Sequence, residues 1–342
     1  MAIAASRILE RLDELYAIGG GPGANRPHPS AEEDEAHVLA AGWMREAGLS
    51  VETDGTGNLI GRSGGRADVW VGSHLDSVPR GGRFDGALGV VAAIEAVESV
   101  GRGSAVAFRG EEVGCVGSRA LCDGGAELPA AFLELHVEQG PVLAAVGAPL
   151  GVVTSIVGYA RGELVVEGRA GHAGTTPMDA REDALVAAAE AVLRIRDAAR
   201  AIDGAVATVG EVSVEPGASN VIPSRVRLSL DARAPDSERL AQLVSAIGFE
   251  PAQRTQPAPM SVELRQVLRE EIERRGLPAL ELPSGAGHDA GILAAAGVPS
   301  TMLFVRSLNG GVSHSPDELS SDEDVALAVD VLTAALRRLT SD

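Results

Sequence analysis

The chain has 342 residues, 45% of them apolar and only 3% aromatic, with a formal net charge of −19. That length exceeds the usual single-domain size and predicts two domains, and the acidic balance excludes a polyanionic partner such as nucleic acid, which needs clustered Lys and Arg. No apolar run is long enough to cross a membrane, and the two cysteines, Cys115 and Cys122, read as unpaired thiols of a cytoplasmic protein rather than a disulfide framework.

In chain order, Met1 to Tyr16 carries Arg7, Glu10, Arg11, Asp13 and Glu14 among apolar residues, which predicts an amphipathic helix rather than a signal peptide. Ser30-Ala31-Glu32-Glu33 reads as a capping box. It opens a helix with Ala36, Leu39, Ala40 and Trp43 on one face and Gly48 at its end. Strands are expected near 50–52, 58–61 and 69–73, then a helix over 87–100 and strands over 104–108 and 131–136. This alternation predicts an α/β fold with a mostly parallel mixed sheet flanked by helices and with sites at the C-terminal strand ends.

The pattern changes near Val157. A strand over 163–168, a helix over 179–200, strands over 206–214 and 225–233 and a helix over 236–247 predict a smaller α+β domain of ferredoxin-like type. Within it, Val226, Leu228, Leu230 and Ala232 alternate with Arg225, Arg227, Ser229, Asp231 and Arg233, as in a half-buried antiparallel strand. The Pro-rich stretch 253–259 reads as a linker. A helix, a strand near 279–282, a helix from Asp289, a strand over 300–304 and a last helix behind Ser321-x-x-Asp324 then resume the first pattern. The expected organisation is a discontinuous larger domain, 1–157 and 260–342, with the smaller domain inserted at 158–259.

Five of the seven His lie in Gly-, Asp- or Glu-flanked motifs. Gly72-Ser73-His74-Leu75-Asp76 ends an apolar strand, and Phe84-Asp85-Gly86 follows in a Gly-rich loop. Glu111-Glu112, His136-Val137-Glu138-Gln139-Gly140 and Ser313-His314-Ser315-Pro316 come later. Imidazole and carboxylate at strand ends suit zinc or manganese. A two-metal hydrolase needs one carboxylate bridging two cations about 3.5–4 Å apart and another, not bound to metal, to take a proton from water. Asp85 is the bridging candidate. His74 and His136 complete one metal, Glu112 and His314 the other. Glu111 remains as general base, since neighbours on an extended segment point opposite ways. Asp76, two residues beyond His74, is placed to orient its ring.

With Gly57-Asn58-Leu59, Gly171-His172-Ala173-Gly174-Thr175-Thr176-Pro177-Met178, Asn220-Val221-Ile222-Pro223 and Asp231-Ala232-Arg233, these motifs resemble the M20-type metal-dependent amidohydrolases over nearly the whole chain. The similarity is to the subgroup of N-carbamoyl-L-amino acid hydrolases, β-ureidopropionases and allantoate amidohydrolases, marked by His136 within His-x-Glu-Gln-Gly. The resemblance implies a catalytic domain with an inserted dimerisation or lid domain, and two divalent ions per subunit, Zn2+ or Mn2+. It implies hydrolysis of the ureido C–N bond of an N-carbamoyl-L-amino acid or similar ureido acid by a metal-bridging water that Glu111 deprotonates. Allantoate, an N-acyl amino acid or a dipeptide is the alternative substrate. It further implies a homodimer in which His172 reaches the active site of the partner subunit and polarises the scissile carbonyl. Asn220 and Arg233 would hold the substrate, Arg233 by its carboxylate, a group that Arg grips with two parallel hydrogen bonds.

Arg225 and Arg227, on the same face as Arg233, read as solvated. Gln139 and His288 are further substrate-binding candidates, with His288 open between a catalytic role and a cap or packing role. The chain departs from the family between Glu112 and His136, where its 23 intervening residues make a shorter stretch. Arg306 stands as added charge near the pocket or as a surface residue. Two readings from other classes are a metal-free scaffold and a thiol enzyme built on Cys115 or Cys122.

Overall fold

The computed structural model describes residues 2–63, 69–125 and 127–341, with side chains from residue 6 onward; Met1, part of the expected first helix, lies outside them. The chain divides into two compact units, Met1–Thr154 with Pro259–Asp342, and Ser155–Ala258.

The larger unit contains β1 (Ser50–Thr53), β2 (Leu59–Arg62), β3 (Val69–His74), β4 (Ser104–Phe108), β5 (Ala131–Val137) and β6 (Leu150–Ile156). Numbered after the strands of the inserted unit, β13 (Ala258–Pro259), β14 (Leu280–Ser284) and β15 (Ser300–Val305) complete its sheet. The order is β1-β2-β4-β3-β5-β15-β6-β13, with β14 beside β6. Its centre, β4-β3-β5-β15, is parallel. Every residue of these four strands is buried, as expected where helices cover both faces.

The helices of this unit are α1 (Ala2–Ala17), α2 (Ala31–Glu46), α3 (Ala87–Val100), α4 (Val116–Asp123) and α5 (Val142–Val146), then α8 (Val262–Glu273), α9 (Asp289–Ala295) and α10 (Asp322–Leu339). α3 is mostly apolar and buried from Ala87 to Val97, including Glu95, which pairs with Arg7 and Arg11, and it is wedged between the sheet, α1 and α10. α2 begins as expected, with the Ser30 hydroxyl accepting from the Glu33 N–H at 3.1 Å. The capping box is only half made, however. The Glu33 carboxylate accepts instead from the Gly110 N–H at 3.2 Å and contacts His28 at 2.7 Å, tying α2 to the loop after β4.

The inserted unit holds β7 (Gly158–Glu167), β8 (Gly171–His172), α6 (Ala184–Arg200), β9 (Val206–Glu215), β10 (Val221–Ile222), β11 (Arg225–Ala234), α7 (Ser237–Ile247) and β12 (Gln253–Thr255). Its antiparallel sheet runs β12-β7-β11-β9, the ferredoxin-like order. One sheet face packs on α6 and α7 through Ile195, Leu230, Leu240 and Leu243. Two expectations are corrected here. The helix expected from 179 starts at Ala184, because Met178–Ala180 forms a separate 3-10 turn and Asp183 caps the true start, accepting from the N–H groups of Leu185 and Val186. The stretch 253–259 is not a free linker: residues 253–255 pair with β7, and Ala258–Pro259 joins the larger sheet. No helix among the described residues is long and apolar enough to cross a membrane.

Candidate metal centre

Parallel strands put their C-terminal ends on one edge of a sheet. His74 is the last residue of β3, Glu111 and Glu112 follow β4, and His136 is next to last in β5. Asp85 reaches the same place through the loop before α3. Gly86 makes this possible: its φ is +63°, and a Cβ there would lie 2.4 Å from the His74 ring. His314 comes from the segment after β15, and it and Gln139 are non-glycine residues in the left-handed region, with φ of 54° and 56°. Such strain concentrates at functional sites.

Two donor groups result, His74–Asp85–His136 and Asp85–Glu112–His314. Asp85 belongs to both, and its two oxygens divide between them. Oδ1 lies 3.2 Å from His136 Nε2 and 3.6 Å from His74 Nε2. Oδ2 lies 3.3 Å from His314 Nε2, which is itself 3.4 Å from a Glu112 oxygen. Ligands about 2.0–2.2 Å from a tetrahedral ion stand roughly 3.3–3.6 Å apart, so this spacing fits divalent cations. Hydrogen bonding agrees. His74 Nδ1 donates to the Asp76 carbonyl at 3.1 Å and His136 Nδ1 to the Val137 carbonyl at 2.9 Å, which leaves each Nε2 with its lone pair toward the site. Both Nε2 atoms and Glu112 Oε1 are buried without a hydrogen-bond partner. Buried polar atoms in that state call for an ion or water.

The supporting atoms are as specific. Asp76 accepts the backbone N–H of Glu111 on Oδ1 and of Glu112 on Oδ2, each at 3.0 Å, and Oδ1 is 3.2 Å from His74 Nδ1. One buried carboxylate therefore aligns a strand-end His and both Glu residues. Glu111 belongs to neither donor group: its Oε2 is 3.8 Å from His74 Nε2 and its Oε1 is 3.8 Å from His288 Nδ1. His288 precedes α9 but makes no side-chain cap bond. Its Nε2 meets the Ser284 hydroxyl at 2.9 Å and its ring lies 4.5 Å from that of His136, so it belongs to the wall of the site. The Gln139 amide donates to Asp85 Oδ2 at 3.0 Å and to the Ser313 hydroxyl at 3.1 Å.

Electrostatics follow from crowding carboxylates in a buried place. Burial works against charge on His74, but the Glu111, Asp76 and Asp85 carboxylates outweigh it and hold its imidazole pKa well above the ordinary value. Burial likewise opposes ionised Asp85, yet His136, His314 and His74 keep its carboxyl well below the usual range. Glu111 goes the other way. Burial, with Asp289, Glu112 and Asp85 nearby, pushes its carboxyl well up against the pull of His74. Burial and Glu134 raise Asp289 to about 8. Divalent ions would relieve this crowding by favouring ionised carboxylates and neutral imidazoles.

Sequence pattern does not single out three further contributors. Glu134, two residues before His136 on β5, accepts from the Ser73 hydroxyl at 2.7 Å and the Ala290 N–H at 2.9 Å; shared strand parity with His136 was the available signal. Glu318 sits four residues after His314 in the same turn. Arg26 is fully buried, bonded to the Leu75 and Leu15 carbonyls. Burial lowers its guanidinium to about 10 against the pull of Asp76, Asp85 and Glu112. Nothing local in the sequence marks it.

His172, Asn220 and Arg233 belong to the inserted unit. The β8–β10 pairing sets His172 opposite Val221, next to Asn220, and the Asn220 carbonyl accepts from Ala173 N–H at 3.0 Å. Arg181 clamps the His172 turn through the Ala173 and Thr176 carbonyls. Arg233 lies on the sheet face away from α6 and α7, its guanidinium bonded to both oxygens of Asp231 at 2.8 and 3.0 Å. Arg225 and Arg227 make exposed ion pairs with Glu167 and Glu215. Arg306 pairs with Asp324 at 2.7 Å, a structural contact that uses its charge. The Cys115 thiol is buried, and burial with the Asp289 and Glu111 carboxylates raises it far above the normal range, which removes the nucleophilic thiolate a thiol enzyme needs.

A model of the family described as peptidase family M20/M25/M40 matches residues 70–338. The N-carbamoyl-L-amino acid amidohydrolase of Geobacillus stearothermophilus is 38% identical over 399 aligned positions, covering 96% of this chain and 97% of that protein. The allantoate amidohydrolase of Bacillus subtilis is 31% identical over 394 positions, covering 95% of this chain and 94% of its own. Among solved structures, an amidase of the hydantoinase/carbamoylase family from Burkholderia multivorans superposes with a TM-score of 0.90 at 30% identity, covering 98% of this chain and 97% of that one. The M20 family is metal-dependent, and this chain has His and Asp groups able to hold metal. The chain therefore belongs to peptidase family M20/M25/M40, in the branch of its N-carbamoyl-L-amino acid and allantoate amidohydrolases.

Proposed function

We propose that this hydrolase cleaves the ureido C–N bond of an N-carbamoyl-L-amino acid or similar ureido acid. The observation that carries this is Asp85, whose two oxygens face separate donor groups completed by His74 with His136 and by Glu112 with His314. Two divalent ions, Zn2+ or Mn2+ by the mixture of imidazole and carboxylate donors, would polarise the carbamoyl carbonyl and acidify water. Glu111 takes the proton of the attacking water on a carboxylate oxygen and delivers it to the leaving nitrogen. It suits that task because it lies outside both donor groups and burial favours its proton-holding form. Asp76 keeps Glu111, Glu112 and His74 in register throughout. Water and the carbamoyl amide yield the amino acid, ammonia and carbon dioxide.

The inserted unit serves in this proposal as the dimerisation and lid domain. Arg233 and Asn220 take the substrate's carboxylate end and His172 polarises the carbonyl from the partner subunit, while Gln139 and His288 bind substrate beside the metal ligands. Arg233 on an open sheet face supports its role. For a homodimer, support comes from β9, the edge strand of its sheet, on which Val206 and Val212 are exposed; a long unprotected edge invites pairing with a second chain. The free thiols Cys115 and Cys122 agree with a cytoplasmic setting.

The test is ammonia release by the Mn2+- or Zn2+-loaded protein from N-carbamoyl-L-amino acids, N-carbamoyl-β-alanine and allantoate. N-acetyl amino acids and dipeptides are run beside them, each with and without EDTA, and free amine is read in parallel. Chelator-sensitive ammonia from an N-carbamoyl amino acid is the expected result. Turnover of allantoate alone moves the substrate to the alternative reading. Free amine without ammonia moves the protein to the deacylase or peptidase branch. Activity that survives EDTA and metal removal sinks the metal mechanism.

A further inference from the structure

We propose that Glu318 is the positioning residue for Asp85, fixing the bridging carboxylate and thereby the affinity of the site for its ion pair. The inference rests on the reading that Asp85 bridges two ions.

Glu318 is 5% exposed and Asp85 3%. Glu318 Oε1 accepts from two successive backbone N–H groups, Phe84 at 2.8 Å and Asp85 at 3.1 Å. Its Oε2 accepts from the Ser313 hydroxyl at 2.9 Å. The Gln139 amide then joins Ser313 Oγ to Asp85 Oδ2. The result is a closed ring in which Glu318, Ser313, Gln139 and Asp85 hold one another. Within it the Asp85 backbone is pinned from below and one of its oxygens from the side, which leaves Oδ1 turned to His74 and His136. The same ring fixes Ser313, the residue before His314, so both donor groups depend on it.

Glu318 is not itself a candidate ligand, because N–H and O–H donors already occupy both its oxygens. Two features fit the carboxylate into this place. Gly82 lies so close that a Cβ there would stand 2.1 Å from the Glu318 carboxyl carbon. The Leu319 carbonyl accepts from Leu308 N–H at 2.7 Å, which fastens the Glu318 segment to the chain leaving β15. Placing a second negative group beneath a bridging Asp is costly without compensation, and three hydrogen-bond donors offset that cost.

The experiment is calorimetric titration of Mn2+ into metal-stripped full-length wild type, E318Q and E318A, with circular dichroism to verify folding. Gln keeps an acceptor for the Phe84 and Asp85 N–H groups; Ala removes it. The expected result is two equivalents bound by wild type, affinity within about threefold for E318Q, and a loss of about 10- to 100-fold for E318A, the range seen when groups that orient ligands are removed. Folded E318A that binds both ions with wild-type affinity overturns the proposal, as does E318Q that binds as poorly as E318A. If E318A does not fold, S313A, which removes the hydroxyl that joins Glu318 Oε2 to the Gln139 amide, takes its place: weaker Mn2+ binding supports the proposal and unchanged binding overturns it. Wild type that binds no Mn2+ or Zn2+ at all overturns the assignment of Asp85 and this inference with it. Metal-competent wild type with unaffected variants overturns this inference alone.

Discussion

Asp76→Asn is the sharpest probe of how the site is held together. The native carboxylate gives one oxygen to the Glu111 N–H and the other to the Glu112 N–H, each at 3.0 Å, and one of them also faces His74 Nδ1. Asn has the same shape but only one oxygen, so its amide nitrogen must oppose one of the two N–H groups, donor against donor. Hydrogen bonds to charged groups contribute about 1.5–3 kcal/mol, and a buried donor left without a partner costs about 1–3 kcal/mol. With partial relaxation the substitution should weaken the assembled site by roughly 2–4 kcal/mol, divided between folding and metal binding. The metal share should appear as a 10- to 100-fold loss of affinity, equivalent to about 1.4–2.8 kcal/mol. The assay is titration of Mn2+ into metal-stripped wild type and D76N, beside guanidinium unfolding of the metal-free forms. If D76N keeps both its metal affinity within twofold and its unfolding midpoint, Asp76 is not what aligns Glu111, Glu112 and His74.

Three further outcomes are expected. Glu111→Gln should lower kcat/KM by roughly 10²–10⁴ while metal stoichiometry stays at the wild-type value; loss of metal in E111Q would mean that Glu111 is a ligand and not the base. Mixing inactive His172→Ala and Glu111→Ala subunits should recover up to about a quarter of wild-type activity, because random pairing gives half mixed dimers with one complete site each; no recovery from verified mixed dimers refutes action in trans. The last outcome concerns acid. Burial opposes charge on Asp231, but hydrogen bonds from Arg233 and Arg161 outweigh it and hold its carboxyl below the ordinary value. A lowered folded pKa means that the pairing is complete above the unfolded value of about 3.9 and fades only as pH falls through the lower folded value. The Nε–H resonance of Arg233 should therefore stay constant from pH 7 to about 4 and move below that; movement beginning above pH 5 contradicts the pairing.

Local pattern made much of this protein legible. Apolar runs fully buried in β3, β4, β5 and β15 show in the sequence because helices cover both faces. The strict alternation of β11 assigns Arg233 to the open face, because side chains of a strand alternate with period two. His74, Asp85, Glu111, Glu112, His136 and His314 stand out because each sits at a strand end or in a Gly-flanked loop, where backbone geometry is written in the residue types. Turn chemistry misled where short elements intervene. Asp183 rather than Asp179 begins α6, and Gln253–Thr255, at the start of the stretch 253–259, forms a strand because an edge of β7 is available to it.

What only the tertiary structure decided is which atoms serve which partner. Glu33 fits a capping box, yet packing delivers its carboxylate to Gly110. Asp76 was placed beside His74 by the sequence, but its bonds to Glu111 and Glu112 exist only because β3 and β4 lie side by side. Glu318 and Asp85 are 233 residues apart, and Arg26 meets Leu75 across 49. Hydrophobic periodicity reports which face of an element is buried, since burial is a property of a residue and its near neighbours. A hydrogen bond is a property of two atoms brought together by the whole fold, and no spacing along one chain segment encodes it.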